Sequence, residues 1–316
     1  MKTTYKVATR KSKLAIRQTE IVLDGLRRLS GIDKFEIASV RTKGDIDKRP
    51  LFSMDRKGLF EREVNNAVVN GDADFAVHSL KDIPTDFDSE LIIAAIPKRA
   101  NPQDVMVALK KVKLKELPGG AKIGTSSLRR AIQILQKNPD VNVLPVRGNI
   151  ETRINKAWSG LFDAVVLADA GLTRLGMEDL IVERFDVEDF LPAPGQGAMA
   201  VVCRKDNKQL ISLLKKIEHK SSRISIDAER ALMNDIGGGC RFPVGALAVC
   251  DLETKTIRLC VKAFSADGKK SIGLEKIGAM TRAREIGKEM AQSLIRNGIE
   301  EMAQGWRDAL DSWNNI

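Results

Sequence analysis

The stretch FLPAPGQGAMAVVC, residues 190–203, decides how this chain is organised. Its first half carries two prolines and two glycines and cannot form regular structure. From Ala198 it becomes an unbroken apolar run, as a strand buried on both faces requires. A second break, AIPKRANPQD (95–104), lies between two other apolar runs. Together they read as a hinge at 95–104 between two α/β units and a return crossing at 190–203 that ends in one more strand.

Working outward, strand candidates at 5–9, 35–41, 74–78 and 91–96 alternate with helical patterns at 12–29 and 58–69. This is the rhythm of an α/β layer with parallel strands. A second series follows, with strands at 104–109, 121–124, 142–146 and 163–168 and helices near 126–137, 149–158 and 170–175. After about residue 218 the rhythm changes. A helix near 221–235 precedes strands at 244–251, 256–264 and 271–279, then helices near 281–296 and 299–313, which reads as a smaller α+β domain. The expected division is 1–98 with 196–217, then 99–195, then 218–316.

The 316 residues carry a formal charge of +10, which raises the question of nucleic acid. The excess is +4 in residues 1–100, +1 in 101–200 and +5 in 201–316, so no basic stripe or tail exists. Aromatic residues make up 4%, too few for base stacking. No apolar run approaches the length of a membrane span, and MKTTYKVATR lacks a signal-peptide core, so no membrane and a cytoplasmic location are expected. Two histidines and no C-x-x-C argue against a zinc site, and no metal is expected. Cys203, Cys250 and Cys260 lie in apolar runs and read as small core residues, whereas Cys240 sits in the loop DIGGGCRFPVG.

In α/β layers ligands bind where strands end and helices begin. AVHSLKDIPTDF (76–87) carries a buried strand up to such an edge and there sets Ser79, Lys81 and Asp82, an acid beside a base. Arg10 and Ser12 follow the first strand. KIGTSSLRR places Thr125, Ser126 and Ser127 at a helix start with Arg129 and Arg130 one turn in, and PVRGNIETR adds Arg147, Gly148 and Arg153. Each Ser or Thr alone is first an N-cap. Several such cradles at equivalent strand ends, with forked guanidinium groups, imply a ligand bearing several anionic groups. Arg27, Arg28, Arg99 and Arg184 read as solvated surface, and His78 as a packed, hydrogen-bonded strand residue.

The set ATRKS, KGLF, AVHSLKDIP, GTSSLRR, RGNIETR, AGLTRLG, PGQGA and GGGCRFPVG closely resembles the porphobilinogen deaminase (hydroxymethylbilane synthase) family, collinearly from about residue 5 to 247. The resemblance implies two periplasmic-binding-protein-like α/β domains joined by a hinge, with a smaller C-terminal α+β domain. It implies a transferase of heme and porphyrin biosynthesis that condenses four porphobilinogen molecules onto a dipyrromethane cofactor, with loss of ammonia. The cofactor would hang by a thioether from Cys240, whose glycine loop frees the thiolate to act as nucleophile. Asp82 is the family-matched catalytic carboxylate, stabilising the cationic methylene pyrrole left by deamination. Ser79 and Lys81 would bind substrate carboxylates. Arg10, Arg129, Arg130, Arg147, Arg153 and Arg174 would hold a growing polyanion, with Ser12, Lys57, Thr125, Ser126, Ser127, Gly148, Gln196 and Gly197 contributing further contacts. A monomer is implied, as is product hand-off to uroporphyrinogen-III synthase. Departures are Ser53, where bacterial relatives often carry lysine, Lys43 in place of an arginine, and Asp169, an acid that needs a partner such as Arg174 or Arg153. A two-lobed binding protein without catalysis is the main rival, and it has no use for Cys240.

Overall fold

The computed structural model describes residues 4–31, 34–42, 61–86, 88–237 and 243–303. The first lobe is a five-stranded sheet of β1 (Tyr5–Arg10), β2 (Phe35–Val40), β3 (Phe75–Ser79), β4 (Leu91–Ala95) and β10 (Met199–Arg204), in the order β2-β1-β3-β10-β4. The second repeats the plan with β5 (Asp104–Ala108), β6 (Lys122–Gly124), β7 (Asn142–Leu144), β8 (Ala164–Ala168) and β9 (Ile181–Arg184), ordered β7-β6-β8-β5-β9. Apolar clusters cover both faces of each sheet, which is why β3 (FAVHS) and β8 (AVVLA) are nearly continuous in apolar residues.

The sheets are mixed, which corrects the expectation of parallel strands. β10 runs antiparallel to β3 and β4, and β5 antiparallel to β8 and β9. The cause lies in the crossings. Each of these strands enters its lobe from the hinge, at the edge where its neighbours end: Met199 opens β10 opposite Ser79, the last residue of β3, and Asp104 opens β5 opposite Ala168, the last of β8. A strand that starts there has to run the other way. The short edge strand β9 and helix α6 (Lys208–Leu214) also form where the sequence pattern assigned nothing.

The helices start where their caps lie. α1 (Lys13–Ser30) begins after Ser12, whose Oγ accepts from the Ala15 N–H at 3.3 Å, and stops at Gly31 in the left-handed region. It presses Val22, Leu23 and Leu26 onto the first sheet. α2 (Arg62–Val69) covers the opposite face with Val64 and Val68. In the second lobe α3 (Leu128–Lys137) follows Ser127, α4 (Ile150–Trp158) follows Asn149, and α5 (Asp169–Arg174) continues β8. Among the described residues no helix is long and apolar enough to cross a membrane.

The third unit is an antiparallel meander of β11 (Val244–Asp251), β12 (Thr256–Phe264) and β13 (Ser271–Ala279) under α7 (Lys220–Ile236) and α8 (Ala283–Arg296), followed by α9 (Ile299–Ala303). The two helices pack at Gly287, where a Cβ would fall 2.3 Å from the Ala228 carbonyl oxygen. Of the cysteines expected in cores, Cys203 is fully buried, while Cys250 and Cys260 are only half-buried.

α7 also ties the hinge. Its Glu229 is fully buried and accepts from Arg99 Nη1 at 2.6 Å, from the Gly195 N–H at 2.6 Å and from the Ala248 N–H at 2.8 Å. Arg99 Nε donates to the Gln196 carbonyl at 2.8 Å. Arg99 is therefore not solvated surface but the part-buried cation of the hinge, a correction. Removing it strands a carboxylate in a dry interior. Arg99→Leu is expected to lower unfolding stability by about 3–5 kcal/mol, read as a shift of the urea midpoint; a midpoint unchanged from the parent would refute this account of the hinge.

Candidate active site

The C-terminal ends of β1 and β3 face those of β6 and β8 across a cleft of about 900 Å³. The first lobe contributes Arg10, Ser12, Ser79, Lys81 and Asp82; the second contributes Arg130, Arg147, Gly148, Arg153 and Arg174; Gly197 lies on the crossing. The structure thus brings together most of the residues singled out in the sequence. Among the described residues eight lysines and arginines line the cleft, against Asp82 and Glu151 as acids. One wall-to-wall contact closes its rim, where Lys13 Nζ meets Glu151 Oε1 at 2.6 Å.

Asp82 ends a single 3-10 turn, Leu80–Asp82, that follows β3 directly. Pro84 prevents the turn from growing into a helix, so the carboxylate stays at the sheet edge. Its charge is felt by Lys81 beside it and by Arg153 across the cleft. Burial pulls the Lys81 ammonium down to about 8, helped by Arg130 and opposed by Asp82 and Asp104. Burial likewise lowers Arg153 and Arg174 to about 10, leaving both charged at neutral pH. Arg153 Nε donates to the Gly148 carbonyl at 2.8 Å, and Arg174 Nη2 to the Gly197 carbonyl at 2.6 Å.

Both glycines are required by space. A Cβ on Gly148 (φ +114) would fall 2.5 Å from Thr152 Cγ2, and one on Gly197 (φ +85) 2.5 Å from the Ala100 carbonyl oxygen, where the two crossings touch. Ser79 Oγ exchanges hydrogen bonds with the Gln18 amide.

Other candidates lie behind the wall. Thr125 is fully buried and accepts from the Ser127 N–H, Ser126 donates to the Val146 carbonyl, and Ser127 caps α3. Arg129 packs beneath Arg130 and pairs with Asp104 at 2.8 Å. Gln196 is fully buried and bridges lobes by hydrogen bonds. Asp169 is partnered by Arg184 (2.8 Å), Asn101 and Thr173, not by Arg174 or Arg153 as expected, and Arg184 is thereby an ion-pair partner rather than simple surface. Cys240 and Lys57, with Lys43 and Ser53, lie outside the described residues.

Asp104 was missed in the sequence. An acid heading the apolar strand DVMVA was the available signal, since a charge at the start of a buried strand needs a partner. Burial would raise its pKa, but Arg129 and Arg130 overcome this and hold it at about 2.

A dipyrromethane has two rings, each bearing an acetate and a propionate. A cleft so rich in cations fits that group, and among the described residues Asp82 is the acid in it on the strand-end turns of the first lobe. The family model for the porphobilinogen deaminase dipyrromethane cofactor binding domain matches residues 5–212, and that for the porphobilinogen deaminase C-terminal domain matches 223–296. The chain belongs to the porphobilinogen deaminase family. A "Probable porphobilinogen deaminase" of Nitrosopumilus maritimus is 45% identical over 98% of this chain and 99% of its own length. The porphobilinogen deaminase of Brevibacillus brevis is 42% identical over 94% and 96%. The two lobes also align loosely with the Lactococcus lactis GlnP substrate binding domain 2, at 12% identity over 68% of this chain and 87% of that one, with a TM-score of 0.42.

In this deaminase His78 is buried on β3 with Nε2 3.0 Å from Asn65 Oδ1. Burial, and then the charge of Arg10, lowers it to about 4 from 6.5. The unfolded chain therefore binds this proton more readily than the folded one. Its contribution is present above pH 6.5 and lost as pH falls through the folded value near 4. Melting temperature measured from pH 7 to 4 is expected to fall less steeply in His78→Gln than in the parent; parallel curves would refute it.

Proposed function

We propose that the enzyme joins four porphobilinogen molecules head to tail, releases ammonia at each addition, and frees hydroxymethylbilane by hydrolysis. The observation that carries this reading is the carboxylate of Asp82, placed at a first-lobe strand end against the guanidinium groups of the second lobe. When bound through Cys240, the dipyrromethane supplies the nucleophilic pyrrole carbon from which the chain is extended.

The chain's own residues do the rest. Asp82 stabilises the positive charge that develops on porphobilinogen as its amine departs, and exchanges protons with the leaving amine and the ring nitrogen. Lys81 and Ser79 hold substrate carboxylates on the first lobe. Arg10, Arg130, Arg147, Arg153 and Arg174 bind the acetates and propionates of the lengthening product, each charge-assisted bond contributing about 1.5–3 kcal/mol. Arg129, Thr125, Ser126 and Ser127 serve this wall from behind, and Ser12, Lys57, Gly148, Gln196 and Gly197 complete it. Domain limits of 1–98 with 196–217, 99–195 and 218–316 are supported by the strand membership of the three sheets. The reading includes a cytoplasmic monomer that passes its product to uroporphyrinogen-III synthase.

Intact mass spectrometry separates this reading from a two-lobed binding protein. The expected mass exceeds the sequence value by two pyrrole units and returns to it in Cys240→Ser; an unmodified parent from a haem-competent host favours the binding protein. Asp82→Asn is expected to stay folded and keep the added mass while turnover falls by about 100-fold or more. Arg130→Leu should stall chain extension, seen as altered populations of enzyme–substrate masses, and wild-type turnover in both variants would sink the assignment.

A further inference from the structure

Beneath the cleft wall lies a polar group that the reaction as described does not use. Asp104 Oδ1 accepts from Arg130 Nε at 2.8 Å and from Gln196 Nε2 at 2.9 Å, and Oδ2 lies 2.8 Å from Arg129 Nη1. A carboxylate at this pKa only accepts, so the amide of Gln196 must turn its NH₂ toward Asp104. The Pro102 carbonyl, also an acceptor, holds the same NH₂ at 2.7 Å. The oxygen of Gln196 is thereby aimed the other way, where it accepts from Lys81 Nζ and Arg130 Nη2, each at 3.3 Å.

These four groups belong to three parts of the fold. Lys81 stands on the first lobe beside Asp82, Asp104 and Arg130 stand on the second, and Gln196 lies on the crossing between them. Asp104 and Gln196 are fully buried, so the links do not compete with water. Without Asp104, the amide would lose one of the acceptors that orient it and the two guanidinium groups would lose their shared counter-charge.

We propose that Asp104 and Gln196 are positioning residues for the reaction, holding the Lys81 ammonium of one lobe and the Arg130 guanidinium of the other around a single amide oxygen, so that the anion-binding wall is complete only while the lobes are joined at this point. The proposal rests on the deaminase reading of the cleft. It makes Asp104 and Gln196 a relay by which the second lobe sets the state of a side chain on the first.

Lys81 reports on the relay directly. Among the described residues the charged groups acting on it include Arg130, Asp82, Asp104 and Arg129, and burial and the two arginines lower its pKa while the two acids raise it. Competitive acetylation of the holoenzyme across pH, read by peptide mass spectrometry, gives its titration midpoint without recourse to turnover. The parent midpoint is expected at about 8. Asp104→Asn should bring it down by about one pH unit, as loss of a nearby opposite charge requires. Gln196→Leu, which leaves the Asp104–arginine pairs in place, should also lower it, while exposed Lys110 titrates as in the parent. In both variants kcat/KM for porphobilinogen should fall about tenfold or more, the worth of one charge-assisted hydrogen bond. If Asp104→Asn does not fold, Gln196→Leu alone decides. An unmoved Lys81 midpoint in the folded variants, or a moved midpoint with parental kcat/KM, overturns the proposal. A parent protein without deaminase activity whose Lys81 still responds to both substitutions would overturn the reading of the cleft and leave the relay standing.

Discussion

The carboxylate of Glu229 accepts from four donors drawn from three parts of the chain: both Nη atoms of Arg99 on one crossing, the Gly195 N–H on the other, and the Ala248 N–H on β11. An ionised group removed from water loses several kcal/mol of solvation, and only a full set of partners offsets that. The requirement makes the meeting point of the three domains exacting, because moving any one of them leaves a lone pair unmet. Everything in the cleft is laid out from this point. Gly197 touches Ala100 beside it, Gln196 follows it, and the turn that ends in Asp82 begins with the Leu80 N–H on the Ala198 carbonyl.

Charge at the hinge and charge in the cleft work by different rules. Arg99 and Arg129 are matched by buried acids and serve architecture, whereas Arg10, Arg147 and Arg153 line the cleft. Arg130 belongs to both sets, since Asp104 holds one side of its guanidinium while the residue lines the cleft. A polyanion is then met by cations whose positions are fixed before it arrives, which avoids the entropy of ordering long side chains around it.

Much of this was legible in the sequence. The two α/β series, the crossings, the C-terminal meander and most of the cleft residues follow from apolar periodicity and from polar residues placed at strand ends. What was hidden depends on partners remote in sequence. Arg99 sits in a proline-rich polar segment and looks solvated; its acid is on α7, at Glu229. Asp169 invited a neighbouring arginine, yet Arg184 reaches it from an edge strand that carries little pattern of its own. Parallel strands were expected because alternating β and α segments usually give them, and the rule fails at β5 and β10, the two strands that enter a lobe from its mouth. The serines and threonine ahead of α3 could be read as caps or as ligands, and the single cap, made by Ser127, became visible only with the fold.

One consequence follows from α7. Its Arg230 grips the carbonyls of Ile83, Pro84 and Thr85, the three residues after Asp82, and the helix ends at Gly237. At 1.5 Å per residue that interval is about 10 Å of rigid rod, and Cys240 comes only three positions later in the chain. Under the proposed function, the helix that holds the turn of the acting acid is thus also the helix from which the chain departs toward the cofactor cysteine. A displacement of α7 would drag the Ile83–Thr85 backbone with it, which couples the third domain to the turn that carries Asp82.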